Sequence, residues 1–300
     1  MGGSRWDSGA WDTRAAATAH KPAASIFAST SLHESLDPAA IKIRESVDSE
    51  ANPNSTPIII TCDVTGSMGV TAEVMIKKGC GLIFKEIYDR KPVPDPHIMF
   101  AATGDANFDS APLQMTQFEA SIVLADQLEK VWIEGGGGGN SGESYHLPWY
   151  AAAHMVRADA IMKRKQKGWI FTIGDEAPLD LLTEAQIKKV FGVDRPAMPV
   201  TSKELLAQIE PYWNVFHLII QPVSHQQVLA KWRDLLQERA IMVGDHNHLP
   251  EVIVSTMQVI QGEDARSVAD SWSGDTSMVV HDAIKGLVPG SAVGQGVVRL

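Results

Sequence analysis

Cysteine is scarce in this chain: its 300 residues hold two, Cys62 and Cys80. Two thiols fall short of a disulfide framework or an all-thiolate zinc site, so both read as reduced, buried hydrophobes. Basic charge is also in deficit, with 26 Lys and Arg against 36 Asp and Glu and a net charge of −10. That sign opposes counterion-release binding to phosphate backbones, and no Lys/Arg stripe interleaved with aromatics offsets it, so nucleic acid is not an expected partner. No apolar run approaches the ~20 residues of a membrane span, and Met1-Gly-Gly-Ser-Arg-Trp-Asp7 has neither the cationic start nor the apolar core of a secretory signal. The expectation is a cytoplasmic protein without a membrane anchor. A Gly-x-Ser-x-Gly elbow, a Walker loop and a dinucleotide fingerprint are missing too, which removes the signatures of the common α/β enzyme chemistries.

What is present centres on Pro57-Ile-Ile-Ile-Thr-Cys-Asp-Val-Thr-Gly-Ser-Met68. Ile58, Ile59 and Ile60 form a β-branched run too short for a helix of its own, and they read as a strand buried on both faces. Where that strand would emerge, Asp63, Thr65 and Ser67 place oxygen-bearing side chains at alternate positions, with Gly66 free to turn. Hard oxygen donors on one tight loop suit Mg²⁺, with Mn²⁺ or Ca²⁺ as alternatives.

The rest of the chain alternates. Residues 1–56 read as an arm, partly flexible, with a short helix opened by Asp37-Pro38 and running to about Val47. Trp6 and Trp11 sit in similar short pieces of that arm and are candidate anchors. Ile76, Cys80, Ile83 and Ile87 trace one face of a helix from about Thr71 to Arg90, in which Gly79 and Gly81 lower intrinsic stability and would also allow close approach to a strand, two readings the sequence leaves open. His97–Thr103 and Trp169–Ile173 read as further buried strands, and Trp213–Ile220 and Ala240–Val243 as two more. Between them, helix faces are expected over Phe118–Trp132 and from Pro148 to Ala160, the latter ending in the basic run Lys163–Lys167. Capping boxes mark helix starts at Thr183, Thr201 and Ser224, and Pro250 opens a last core helix to about Ile260. Residues 57–261 therefore predict one α/β domain, a doubly wound, mainly parallel sheet with helices on both faces, followed by an extension over 262–300 that carries a weak helix near Val279–Ile284. His217, on a strand, reads as a core histidine, and His246 and His248 as loop residues before Pro250.

In an open sheet of this kind ligands bind beyond the carboxyl ends of the strands. Three of those ends carry an acid: Asp63, Asp105 and Asp175. Acids gathered on one edge repel one another unless a cation sits among them.

Asp63-Val-Thr-Gly-Ser-Met68 resembles the Asp-x-Ser/Thr-x-Ser signature of von Willebrand factor A domains, here of an intracellular type, where it forms the first loop of a metal-ion-dependent adhesion site. The likeness spans about Pro57 to Ile260 and implies the same Rossmann-like, doubly wound fold. Asn140-Ser-Gly-Glu143, after five glycines, is similar to the Asp-x-Pro-Glu loop of the integrin β inserted domain, with Asn for Asp and Gly for Pro as departures. That resemblance passes a ligand role to Glu143, and the strand end Gly174-Asp175 passes the last one to Asp175. A second, weak or empty cation site at Asp105, Asn140 and Glu143 is implied in the same way. The family reading is a non-catalytic protein-binding module that engages an Asp or Glu of a partner through the metal, the partner being an AAA+ ATPase or a larger assembly. The competing readings are a metal-assisted hydrolase on the same loops, which have no general base beyond the ligands themselves, and a structural assembly component with a vestigial site.

Overall fold

Strand β1, Thr56–Asp63, is buried along its whole length and lies at the middle of a six-stranded sheet. The structure is a computed structural model, and it describes residues 5–18, 21, 23–135, 142–194, 197–220 and 225–289. β2 (Pro96–Thr103) pairs with β1 in parallel from Thr56↔Pro96 to Asp63↔Thr103, and β4 (Gly168–Gly174) pairs with its other edge, Ile58 opposite Trp169. β5 (Trp213–Ile220) and β6 (Ala240–Val243) extend the sheet in parallel beyond β4. β3 (Leu113–Met115) closes the opposite edge antiparallel to β2. The order is therefore β3-β2-β1-β4-β5-β6, that of a doubly wound sheet whose winding reverses between β1 and β4. This is the α/β architecture the strand–helix alternation predicts.

Side chains alternate across the sheet, so the isoleucine run feeds two cores. Ile58, Ile60 and Cys62 face one side with Phe100, Phe171 and Phe216, while Ile59 faces the other with Met99, Ile170, Val215 and Ile219. Each fully buried Ile or Phe stabilises the fold by roughly 1.5–3 kcal/mol relative to exposure.

On the first side, helix α2 begins at Gly69–Val74, passes through a π-helical turn at Met75–Gly79 and continues as Cys80–Arg90. Ile83, Phe84 and Ile87 bury its inner face. Also on this side are α3 (Val123–Leu128) and α8 (Leu249–Ile260), the latter buried at every position but Glu251 because it is wedged between the sheet, α2 and the two helices that follow. The opposite side is covered by α4 (Leu147–His154), α5 (Glu184–Phe191), α6 (Ser202–Ile209) and α7 (His225–Leu236). Thr183 and Thr201 form complete capping boxes, as their sequence spacing predicts. The box expected at Ser224 lies outside the described residues. Cys62 and Cys80 are free thiols, fully buried.

Three expectations need correction. The arm forms helix α1 (Ser8–Thr18), whose Trp11 is buried against α2 and whose Arg14 pairs with Asp126 and Glu129. The helix expected after Asp37 is replaced by Arg44–Ser46, which pairs in parallel with Val156–Ala158 and ends the helix expected to reach Ala160. The face traced from Phe118 is helical only over α3, because Ile98 and Glu119 exchange backbone hydrogen bonds at 2.9 and 3.0 Å. The helix expected near Val279–Ile284 is present as α10 (Asp275–Ile284), with α9 (Ala265–Asp270) before it, and Val268, Val280 and Ile284 pack the two on α8. Among the described residues no helix is long and apolar enough to cross a membrane.

Candidate functional site

The carboxyl ends of β1 and β4 meet where the winding of the sheet reverses; β1 ends in an acid and β4 is followed directly by one. Asp63 is the last residue of β1 and is fully buried. Its Oδ1 accepts the Thr65 backbone N–H at 2.8 Å and the Thr65 hydroxyl at 2.6 Å, a turn that folds the loop back over the strand end. Asp63 Oδ2 accepts the Tyr145 hydroxyl at 2.8 Å. The loop then enters a 3-10 turn, Gly66–Met68, and α2, with Ser67 near enough to the Asp175 carboxyl to oppose the rise that burial gives it. Asp175 follows β4 directly and leaves its Oδ1 buried with no hydrogen-bond partner.

Glu143 enters from the segment before α4. Its backbone N–H donates to the Ala177 carbonyl at 3.1 Å, forming a bridge that ties the segment to the loop after β4. The side chain is buried and its Oε2 also has no partner. Burial, followed by the charges of Asp63, Asp105, Asp109 and Glu176, pushes the Glu143 carboxyl up to about 9. Burial raises Asp63 to about 6, with the Thr65 and Tyr145 hydrogen bonds holding it back and Asp175 adding to the rise. Asp175 is raised as well, by burial opposed by Ser67. No ion pair from Lys or Arg reaches Asp63, Glu143 or Asp175 among the described residues.

Asp105 belongs to the loop after β2 and is placed differently. Its Oδ1 accepts the backbone and side-chain N–H groups of Asn107 at 2.8 and 3.0 Å, and its own N–H donates to Asp109 Oδ2 at 2.6 Å. Lys189 reaches over from α5 and donates to the Ala106 and Asp109 carbonyls, fixing this loop from outside. Asp105 therefore contributes charge beside Glu143, while its described hydrogen bonds are spent within its own loop. Asn140 lies outside the described residues.

The structure thus bonds Thr65 and Tyr145 to Asp63 and brings the Asp175 and Glu143 carboxyls near enough for their charges to act on it, with Ser67 close to Asp175. Among the described residues no group of three or more His, Cys, Asp or Glu side chains is assembled as a ligand cluster. Hydroxyls make up part of the present set, and the donors that could hold a cation are all oxygens. Two of those oxygens are buried and unpartnered, an arrangement that a hard divalent cation fits.

Sequence reasoning missed Tyr145. The signal it left is Gly174: a β-carbon there would come within 1.9 Å of the Tyr145 hydroxyl, so a strand end that tolerates only hydrogen is the mark of that side chain. The loop after β4 is further fixed by Trp232 of α7, whose Nε1–H donates to the Glu176 carbonyl at 3.0 Å and whose ring stacks on His217 at 3.6 Å. His217 is a core residue, with Nδ1 at 2.8 Å from the Thr172 hydroxyl. His246 and His248 fall in a short 3-10 turn whose cap is Asp245, accepting from the Asn247 N–H.

No protein-family model matches the chain, and no curated protein matches its sequence significantly. Among solved structures it is similar to a pilus adhesin, SpaC from Lactobacillus rhamnosus GG, at 8% identity and a TM-score of 0.46, over 72% of this chain and 32% of that one. It is also similar to a von Willebrand factor type A protein from Catenulispora acidiphila, at 11% identity and a TM-score of 0.38, over 71% of this chain and 44% of that one. A third likeness is to the human COPII-coat protein Sec24c, at 13% identity and a TM-score of 0.33, over 68% of this chain and 32% of that one. The chain spans less than half the length of each of these proteins. Likenesses of this strength carry no argument about function.

Proposed function

We propose that this chain is a protein-binding module whose sheet edge holds a divalent cation, Mg²⁺ in the first instance, and offers it to an Asp or Glu carboxylate of a partner protein. Asp63, Thr65, Ser67, Glu143 and Asp175 would hold the cation, as in the adhesion site of von Willebrand factor A domains that the first loop resembles. One observation carries the reading: Glu143 Oε2 and Asp175 Oδ1 are buried without a partner, beside Asp63, with no basic side chain of the described chain paired to any of the three. Burying acids in this way costs several kcal/mol of desolvation unless positive charge arrives from outside.

When bound, the cation would supply a Lewis-acidic position that a carboxylate can occupy. The chain's own part is structural. Thr65 and Tyr145 hold the Asp63 carboxylate in one orientation, and the Ala177 carbonyl anchors Glu143 by its backbone. None of these groups is placed as a spare general base, which favours binding over hydrolysis. A cytoplasmic partner, an AAA+ ATPase or a larger assembly, is part of the same proposal.

The test is a calorimetric titration of the purified protein with Mg²⁺, repeated on Asp63→Ala, followed by partner capture in Mg²⁺ and in EDTA. The reading expects metal binding that Asp63→Ala abolishes and capture that chelation reverses. A wild-type protein that binds no metal at millimolar concentration would overturn it.

A further inference from the structure

We propose that a cavity at the amino edge of the sheet, lined by Trp169, Asn214 and Lys167, binds a small organic carboxylate with a flat apolar body. That edge is the opposite one from the acid cluster, and the site stands whether or not a cation is held there.

The cavity measures about 260 Å³ and lies where β1, β4 and β5 begin and α8 ends. Val93 and Ile260 supply apolar wall, and Gln261, exposed just past the end of α8, stands at the rim. Trp169 and Asn214 lie opposite each other in the β4–β5 register, on the face of the sheet that carries Phe171 and Phe216. The Asn214 residue is only 7% exposed, and among the described residues its side-chain amide has no hydrogen-bond partner. Burying an amide in that way is destabilising, so the group favours an occupant that can bond it.

Charge decides the class of that occupant. Among the described residues lining the cavity there is no Asp or Glu, and Lys167 alone carries a charge, in a chain whose net charge is −10. Burial lowers the half-buried Lys167 ammonium, with Glu210 holding it up and Arg239 adding to the fall. A carboxylate beside it would offset the cost of that burial. Size decides the body: a dry apolar cavity of about 150 Å³ admits benzene, so this one has room for a ring with an acid group attached. Lys167 and the Asn214 amide then donate to the acid, while Val93, Trp169 and Ile260 border the ring.

The probes are benzoate and its neutral analogue benzamide, titrated by calorimetry in EDTA so that no cation recruits the acid to the opposite edge. Wild type is expected to bind benzoate at millimolar concentration or below, and benzamide more weakly. Lys167→Gln should weaken benzoate by about tenfold, the order of one hydrogen bond to a charged group, and leave benzamide unchanged. Asn214→Ala should weaken both. A wild type that binds neither probe, its cavity left to water, overturns the proposal, and so does equal benzoate affinity in wild type and folded Lys167→Gln. Should Asn214→Ala not fold, the wild-type protein still decides: the Trp169 indole N–H resonance, followed by NMR, is expected to shift with added benzoate, and a resonance unmoved at saturation would place the ligand elsewhere and overturn the proposal.

Discussion

Trp11 lies over the position where Gly81 lacks a side chain: a β-carbon on residue 81 would come within 2.7 Å of the Trp11 ring at Cε3. The indole is one of a set of rings, with Trp6 5.8 Å away and Phe84 at 6.0 Å, and Trp6 in turn stacks on Phe84 and Tyr88. The amino-terminal helix is thus seated on α2 by a glycine that gives up helix propensity to admit it.

Gly81→Ala is expected to unseat α1. Trypsin should then cut after Arg14, which wild type holds against Asp126 and Glu129, and tryptophan emission should move to longer wavelength. On a free α2 the same change would stabilise the helix by about 1 kcal/mol. A raised melting temperature with unaltered proteolysis would show that Trp11 does not depend on this gap.

Divalent metal should raise the melting temperature, because the buried acids bind it only when the loops are folded together. A ligand at 100 times its dissociation constant stabilises by about 2.7 kcal/mol. The increment is expected to vanish in Asp63→Ala, whereas a chelator-insensitive melting curve for wild type would argue against the site.

The pH profile carries a sign that distinguishes the metal-free protein. Glu143 titrates at about 9 folded, above its unfolded value of 4.5, so the folded state retains a proton the unfolded chain releases. Its contribution to stability is complete below the unfolded value and is lost as pH rises through 9; Asp63, at about 6, loses its share earlier in the same direction. In EDTA, melting temperature should fall between pH 7 and pH 9.5, a window above the Asp63 transition. Glu143→Gln should flatten that fall, and saturating Mg²⁺ should suppress it. A flat wild-type profile in EDTA would remove Glu143 from the acid cluster.

Ser67→Ala separates a bridging cation from one that only ties loops together. The hydroxyl carries no charge of its own, so stability in EDTA should fall by no more than the loss of one hydrogen-bonding group near Asp175, about 1 kcal/mol. Affinity for a carboxylate partner in Mg²⁺ should drop by about tenfold, or roughly 1.4 kcal/mol. Equal affinities, measured by calorimetry on folded protein, would make the ion a scaffold alone.

The five parallel strands and the loops that end β1 and β4 were legible because both signals are local. Ile58–Ile60 and Trp169–Ile173 are apolar runs of strand length, and the acids follow them directly. What escaped depends on contacts distant in sequence. The helical spacing from Phe118 is genuine, yet Ile98 supplies a sheet edge that claims the backbone of Glu119, and the Gln127 side chain bonds the N–H of Gln117. Arg44–Ser46 has too few residues to show a strand period and is ordered by Val156–Ala158, more than a hundred positions away. Tyr145 was hidden for the same reason, since its partner Asp63 lies on another loop and its ring reads as ordinary core.

The central position of β1 has a consequence for biosynthesis. Its two neighbours are β2 and the far later β4, with Ile58 opposite both Ile98 and Trp169. A growing chain therefore carries β1 with one edge unpaired until β4 has been made, and at roughly 5–20 residues per second that interval lasts from several seconds to tens of seconds. During it, an Ile-rich strand with open backbone groups is exposed to pairing with other chains. Nascent-chain protection by a chaperone, or slow translation that lets β1 and β2 settle together first, would matter most over the stretch between Thr103 and Gly168.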